Sequence, residues 1–357
     1  MNEKKEYPVS LAEVIKAKKV VYEHLVPTQL TRYEGLSSLL NADIYVKHEN
    51  HNPTGTFKIR GGINLMYHLK CAGTEGVITF STGNHGLSVA TSASLFGINA
   101  TIVVPENNNE SKNRKIRDTG AELIEAGKTF EEASKIVKQI VKERHLYYVH
   151  PANESHLING VGTEFLEIFE KQPEIETLII PIGAGSEAAA AITVLKAINP
   201  NIKIYAVQAK NSPAAYLSWK SGVITSAENT TFAGGFATGV GYEMPFEIYK
   251  DNLEDFILLS DEEIYQGIAM ASYYTQNLVE GAGGSTIAAA IKLKEKLKSK
   301  KVVLQFSGCN ESSEVIQKAY SLPCFKTGYN GKYKSNKTNS VGNFATAPLR
   351  SAAAKSR

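Results

Sequence analysis

From about residue 43 onward, short apolar runs rich in β-branched residues alternate with longer stretches whose apolar positions recur at helical spacing. The runs fall at 43–47, 76–80, 100–104, 177–181, 203–207 and 301–306. Continuous apolar runs of this length suit strands buried on both faces, as in a parallel sheet covered by helices. Apolar positions three and four apart predict helices over 85–96, 129–144, 160–171, 186–198, 261–276 and 284–298. This order of strand and helix predicts an α/β fold of open parallel sheets wrapped by helices. Such sheets bind ligands beyond the carboxyl ends of their strands. The Gly- and Asn-bearing exits at 81–86 and 183–186 are therefore the places to look for chemistry.

Composition narrows the classes. With 357 residues, 43% hydrophobic and 21% charged, the chain is long enough for two lobes and is neither disordered throughout nor collagen-like. No apolar run reaches the ~20 residues that a membrane-spanning helix needs, so no membrane partner is expected. Met1-Asn2-Glu3-Lys4-Lys5-Glu6 has no apolar segment behind its charges, so no secretory signal is expected. Cys71, Cys309 and Cys324 are too few and scattered for a disulfide framework. Together these predict a cytoplasmic protein. The net charge of +3 hides an asymmetry, because residues 325–357 hold seven Lys and Arg and no acid. The body is thus mildly acidic, and no nucleic-acid partner is expected. Residues 326–357 read as a basic, disordered tail.

Three segments carry candidate chemistry. In the first, Thr54-Gly55-Thr56-Phe57-Lys58, a lysine stands in apolar company, where desolvation lowers its pKa and frees an amine nucleophile. In the second, Ser81-Thr82-Gly83-Asn84-His85-Gly86, small polar side chains meet a helix start, a cradle for a substrate carboxylate. The third, Gly183-Ala184-Gly185-Ser186, lets backbone wrap a phosphate at another helix start. It also fits the dinucleotide fingerprint, but that reading wants an acid at the end of the next strand, where Gln208 stands. No Lys follows the loop glycines, which excludes a Walker loop. No cysteine–histidine cluster has zinc spacing.

In this order, together with His150-Pro151-Ala152-Asn153, Gly160-Val161-Gly162-Thr163, Phe232-Ala233-Gly234-Gly235, Glu280-Gly281-Ala282-Gly283 and Ser307-Gly308-Cys309-Asn310, the segments closely resemble the fold type II pyridoxal-phosphate enzymes. The likeness is to the serine/threonine dehydratase and serine racemase family and spans roughly residues 18–322. It implies a large cofactor-binding domain at 1–50 and 155–325, a smaller substrate-side domain at 51–154, and a homodimer. It implies pyridoxal 5'-phosphate held as a Schiff base by Lys58, with Asn84 facing the ring hydroxyl and Ser307 the ring nitrogen. Gly183, Ala184, Gly185 and Ser186 would wrap the phosphate, and Phe57, Gly235 and Glu280 would complete the cofactor site. Ser81, Thr82, Gly83, Asn84 and His85 would hold an amino acid substrate, with Lys58 and Thr82 as catalytic groups.

The implied reaction is ammonia-lyase chemistry on threonine or serine. Racemisation, β-replacement and a catalytically silent cofactor-binding relative are the alternatives. The chain departs from the family pattern at Val161 for Gln, Gly234 for Asp, Ala184 for Gly, and Glu187 for an apolar residue. Glu187 would either point to solvent or bond a loop amide. Gln208 and Ala214 stand where many members carry the acids of a cation site, so no metal is expected.

Overall fold

The computed structural model describes residues 8–127 and 130–329. Of the segment expected to be a disordered tail, 330–357 lies outside these residues. Within 326–329, Lys326 and Thr327 finish the short helix Pro323–Thr327, and Tyr329 N donates to the Tyr274 hydroxyl at 3.0 Å.

Among the described residues ten strands run in chain order as β1 Leu30–Arg32, β2 Asp43–His48, β3 Gly76–Phe80, β4 Asn99–Val104, β5 Glu122–Glu125, β6 Tyr147–Tyr148, β7 Thr177–Pro181, β8 Lys203–Ala209, β9 Asp255–Leu259 and β10 Lys301–Phe306. They form a six-stranded sheet, β1-β2-β10-β7-β8-β9, and a four-stranded sheet, β5-β4-β3-β6. Of these strand pairs, β1 with β2 is antiparallel and the others are parallel. The α/β fold with two parallel-rich sheets is as the hydrophobic pattern predicts. Every residue of β7 is buried, because helices cover both faces. One cover is Ser186–Ile198, whose Ala188, Ala189, Ala190 and Ala191 are all fully buried. Small side chains there let helix and sheet pack closely.

The predicted helix over 160–171 is two helices, Ser155–Val161 and Thr163–Lys171, separated at Gly162. The predicted 284–298 helix starts earlier and is two helices, Gly281–Lys292 and Lys294–Leu297. Helix Asp261–Thr275 opens with a capping box between Ser260 and Glu263, which satisfies two of its orphan N–H groups. Four strands escape the hydrophobic pattern. All lie at sheet edges, where one neighbour and partial exposure relax the demand for apolar residues. Three of them, β1, β5 and β6, are also only three, four and two residues long.

One buried ionic cluster joins the two ends of the main sheet's crossover. Arg60 is fully buried. Its Nε donates to Glu49 Oε2 at 2.7 Å and its Nη1 to Glu167 Oε1 at 2.6 Å. Nη2 reaches the second oxygen of each acid, Glu49 Oε1 at 2.9 Å and Glu167 Oε2 at 3.0 Å. Lys47, on β2, bonds Glu167 as well. Two bidentate forks of this kind hold the helix Lys58–Cys71 against β2 and the helix Thr163–Lys171.

Candidate active site

The turn after β10 pairs with the turn before Lys58. Thr56 and Gly308 form an antiparallel bridge. The Ser307 carbonyl accepts from Phe57 N at 3.1 Å and from Thr56 Oγ1 at 3.1 Å. Backbone geometry therefore places Lys58 beside Ser307, although they are far apart in sequence. Lys58 opens its helix, and its Nζ stands 4.6 Å from the centre of the Phe57 ring, a cation–π distance.

Phe57, Lys58, Asn84, Gly183, Ala184, Gly185, Ser186, Gly235, Glu280 and Ser307 line a single pocket, joined there by Pro181, Glu187 and Ala282. The ten residues that the resemblance assigns to the cofactor are thus brought together. Lys58 keeps some accessible surface because it faces this cavity, and the protein packed around it strips solvent from the amine. That desolvation pulls its pKa below the ordinary lysine range, against the opposing carboxyls of Glu187 and Glu280.

The Gly183 loop has the form of an anion cradle. A Cβ on Gly183 would lie 2.0 Å from the Gly235 carbonyl oxygen, so only glycine allows this approach of the two loops. Gly185 adopts φ +92° and caps the 13-residue helix Ser186–Ile198 without any side-chain hydrogen bond. The first-turn N–H groups are then left for a ligand anion.

Next to this pocket is a cleft of about 380 Å³ that shares Lys58, Asn84, Ala184, Gly235 and Glu280 with it and is also lined by Ser81, Thr82, Gly83 and His85. Thr82 is exposed, and Ser81 Oγ accepts from Gly83 N at 3.2 Å. Gly83 caps the helix Asn84–Phe96 without a side-chain bond. His85 is buried, with Nε2 3.0 Å from Thr79 Oγ1. Burial pushes its pKa down to about 3, so the ring is neutral. Asn84 Nδ2 donates to both oxygens of Glu280 at 2.9 Å, and its Oδ1 accepts from Asn310 Nδ2 at 2.9 Å. Burial pushes the Glu280 carboxyl up to about 7.

Residues outside the sequence reading also belong here. Lys112, Asn310 and Glu311 line the cleft. Asn310 closes the last motif quoted above, so its signal was present; Lys112 sits on the polar helix Glu110–Arg117 and resembles a solvated face. Glu187 follows neither expectation. It is buried and accepts from Gln305 Nε2 at 3.0 Å, because the helix start turns its side chain inward. Gln208 is buried too, its Oε1 accepting from Tyr216 N at 3.0 Å. Among the described residues, no group of three or more His, Cys, Asp or Glu could hold a metal ion, and no helix is long and apolar enough to cross a membrane.

The model of the pyridoxal-phosphate dependent enzyme family matches residues 21–308. The chain belongs to that family. Its cofactor is pyridoxal phosphate, and the pocket fits that group: a glycine cradle with uncapped N–H groups for a phosphate, and a desolvated lysine for an aldehyde. This pyridoxal-phosphate dependent enzyme is similar to the L-threonine ammonia-lyase of Thermotoga maritima, 33% identical over 322 residues, 90% of this chain and 80% of the relative. It is also similar to the solved maize serine racemase, with TM-score 0.83 and 28% identity over 88% of this chain and 97% of that one. The processed form of threonine deaminase isoform 2 from Solanum lycopersicum superimposes with TM-score 0.81 and 28% identity, covering 88% and 94%.

Proposed function

We propose that this enzyme is an ammonia-lyase for β-hydroxy amino acids, taking L-threonine or L-serine to a 2-oxo acid and ammonia. The observation that carries this reading is the meeting of Lys58, Ser307 and the Gly183 loop in one pocket that opens onto the Ser81–His85 cleft. The similarity to proteins named threonine ammonia-lyase and threonine deaminase supports the substrate class. Held in the pocket by these residues, pyridoxal phosphate would supply the electron sink that loosens the proton on the substrate's α-carbon.

Each protein group then has a task. Gly183, Ala184, Gly185 and Ser186 hold the phosphate, while Phe57, Gly235 and Asn84 flank the ring. Glu280 and Asn310 fix the Asn84 amide. Ser307 would offer the ring nitrogen a hydroxyl rather than an acid and so would restrain its capacity to store charge. Ser81, Thr82 and Gly83, with His85 behind them, receive the substrate carboxylate at the start of the helix Asn84–Phe96. Lys58, desolvated and hence a ready base, takes the α-proton and returns a proton to the leaving β-hydroxyl. Water leaves, and the released enamine hydrolyses to the oxo acid and ammonia.

Incubating purified enzyme with L-threonine or L-serine should yield oxo acid and ammonia in equal amounts. Silence on both would refute the reading. Racemisation of serine is the second reading, favoured by the superposition on maize serine racemase and by a hydroxyl, Thr82, in the cleft. The same reading carries the two-domain division at 1–50 with 155–325 and at 51–154, supported by the separate sheets. It also carries a homodimer, which sedimentation should detect, and a cytoplasmic location, which the free thiols of Cys71, Cys309 and Cys324 suit.

A further inference from the structure

Behind Lys58 the structure buries two carboxyl groups on one amide. Gln305, on β10, donates from Nε2 to Glu187 Oε1 at 3.0 Å and to Glu164 Oε2 at 3.1 Å. Glu187 is 4% exposed, and Glu164 and Gln305 are fully buried. Among the described residues, Gln305 Oε1 and Glu164 Oε1 have no hydrogen-bond partner. A buried carboxylate is costly without a cation or a full set of donors. The nearby cations Arg60 and Lys47 are already matched by Glu49 and Glu167. Glu164 therefore has no cation of its own, and the charge of Glu49 faces it. It is the neutral member of the pair. Glu187 differs, because it lines the pocket together with Lys58, whose amine has no salt-bridge partner within 4.0 Å among the described residues.

We propose that Glu187 is the buried counter-charge of Lys58, a positioning residue steadied through Gln305 by a protonated Glu164, which lets the lysine hold a proton inside a site that drives it neutral. The inference rests on the reading of Lys58 as the reactive amine. That amine must be neutral to take the α-proton and charged to deliver one to the leaving hydroxyl, and a carboxylate nearby favours the charged form. Burial pushes both carboxyls well above the usual range; at Glu187 the Gln305 bond and the charge of Lys58 oppose that rise, whereas at Glu164 the charges of Glu49 and Glu187 add to it and Arg60 opposes it. Among the carboxyls, Lys58 faces Glu187 first and then Glu280. His85 also neighbours Lys58 but is neutral.

The test reads Lys58 without relying on turnover. Competitive labelling of lysines in the cofactor-stripped full chain, followed by peptide mass spectrometry across pH, gives the midpoint at which Lys58 loses its proton. Glu187→Gln keeps the bond to Gln305 but removes the charge, and should lower that midpoint by on the order of one pH unit. The alkaline limb of the turnover profile should fall with it. Glu164→Gln imitates a protonated acid and should move the midpoint far less. An unmoved midpoint in Glu187→Gln, or an equal shift in Glu164→Gln, overturns the assignment. Coupling is reciprocal, so a second route exists should Glu187→Gln fold poorly. In Lys58→Met the Glu187 carboxyl should stay protonated to higher pH, seen as a persisting acid carbonyl band in the infrared; an unchanged band overturns the proposal. An enzyme inactive on both hydroxy amino acids would remove the proposed reaction and leave the labelling shift readable.

Discussion

Lys58 sits in a place that disfavours its own charge, and this is what a Schiff-base lysine requires. In the proposed role, replacing it by alanine would remove both the amine that binds the cofactor and the base that follows. Lys58→Ala should lose the visible absorbance of lysine-bound cofactor, and its turnover should drop by ~10² or more; an unchanged spectrum would end the assignment. Glu280 offers an independent residue-scale test through pH. Its pKa rises from 4.5 to about 7 on folding, chiefly through burial. The folded state therefore holds this proton more tightly than the unfolded chain. The stability it contributes is present in full below the unfolded value and disappears as pH rises through about 7. Between pH 4 and pH 8 the cofactor-free wild type should lose up to ~3 kcal/mol relative to Glu280→Gln in urea unfolding. The histidines with lowered values cancel in that difference. Parallel curves for the two proteins would show that Glu280 is ordinary.

At the scale of elements, the start of the Lys58–Cys71 helix is held by Arg60 rather than by a cap, since Phe57 makes no side-chain cap bond. Arg60→Ala would leave Glu49 and Glu167 buried with too little positive charge and should cost ~3–5 kcal/mol. Arg60→Lys should recover little, because an ammonium cannot make both bidentate forks. Calorimetric melting of the two variants checks this, and a lysine variant as stable as wild type would contradict it. None of this clamp was legible in the sequence, where Arg60, Glu49 and Glu167 look like three unrelated charges until the sheet and two helices bring them together. The same holds for Glu164, Gln305 and Glu187. Local pattern did expose the strand exits at Ser81–Gly86 and Gly183–Ser186, because small residues after an apolar run mark a backbone that must stay bare for a ligand. It also exposed β2, β3, β4, β7, β8 and β10, each an apolar run in a two-neighbour position. The edge strands, paired on one side only, left too weak a signal.

For the whole molecule, the exits of β3, β4, β7 and β10 all contribute to one cleft, through Ser81, Pro105, Ala184 and Asn310 respectively. The carboxyl ends of both sheets thus frame the place where the α-carbon must sit, and what borders it decides the product. A racemase needs a proton-handling group on each face of that carbon. Lys58 supplies one. Of the groups of the Ser81–His85 cradle, His85 is neutral and tied to Thr79, and Thr82 is a β-branched hydroxyl with few rotamers to swing between donor positions. If Ser307 meets the ring nitrogen as proposed, its hydroxyl would leave that nitrogen neutral, and charge at the α-carbon would be relieved sooner by expelling the β-hydroxyl than by waiting for a second proton. From L-serine, pyruvate should therefore accumulate faster than D-serine when both are followed in one reaction. Thr82→Ser, which frees the hydroxyl to rotate, should raise the D-serine share, while Thr82→Ala should raise KM more than it lowers kcat by weakening the hold on the carboxylate. D-serine running ahead of pyruvate in the wild type would instead mean that Thr82 already delivers the second proton, and the enzyme would be a racemase.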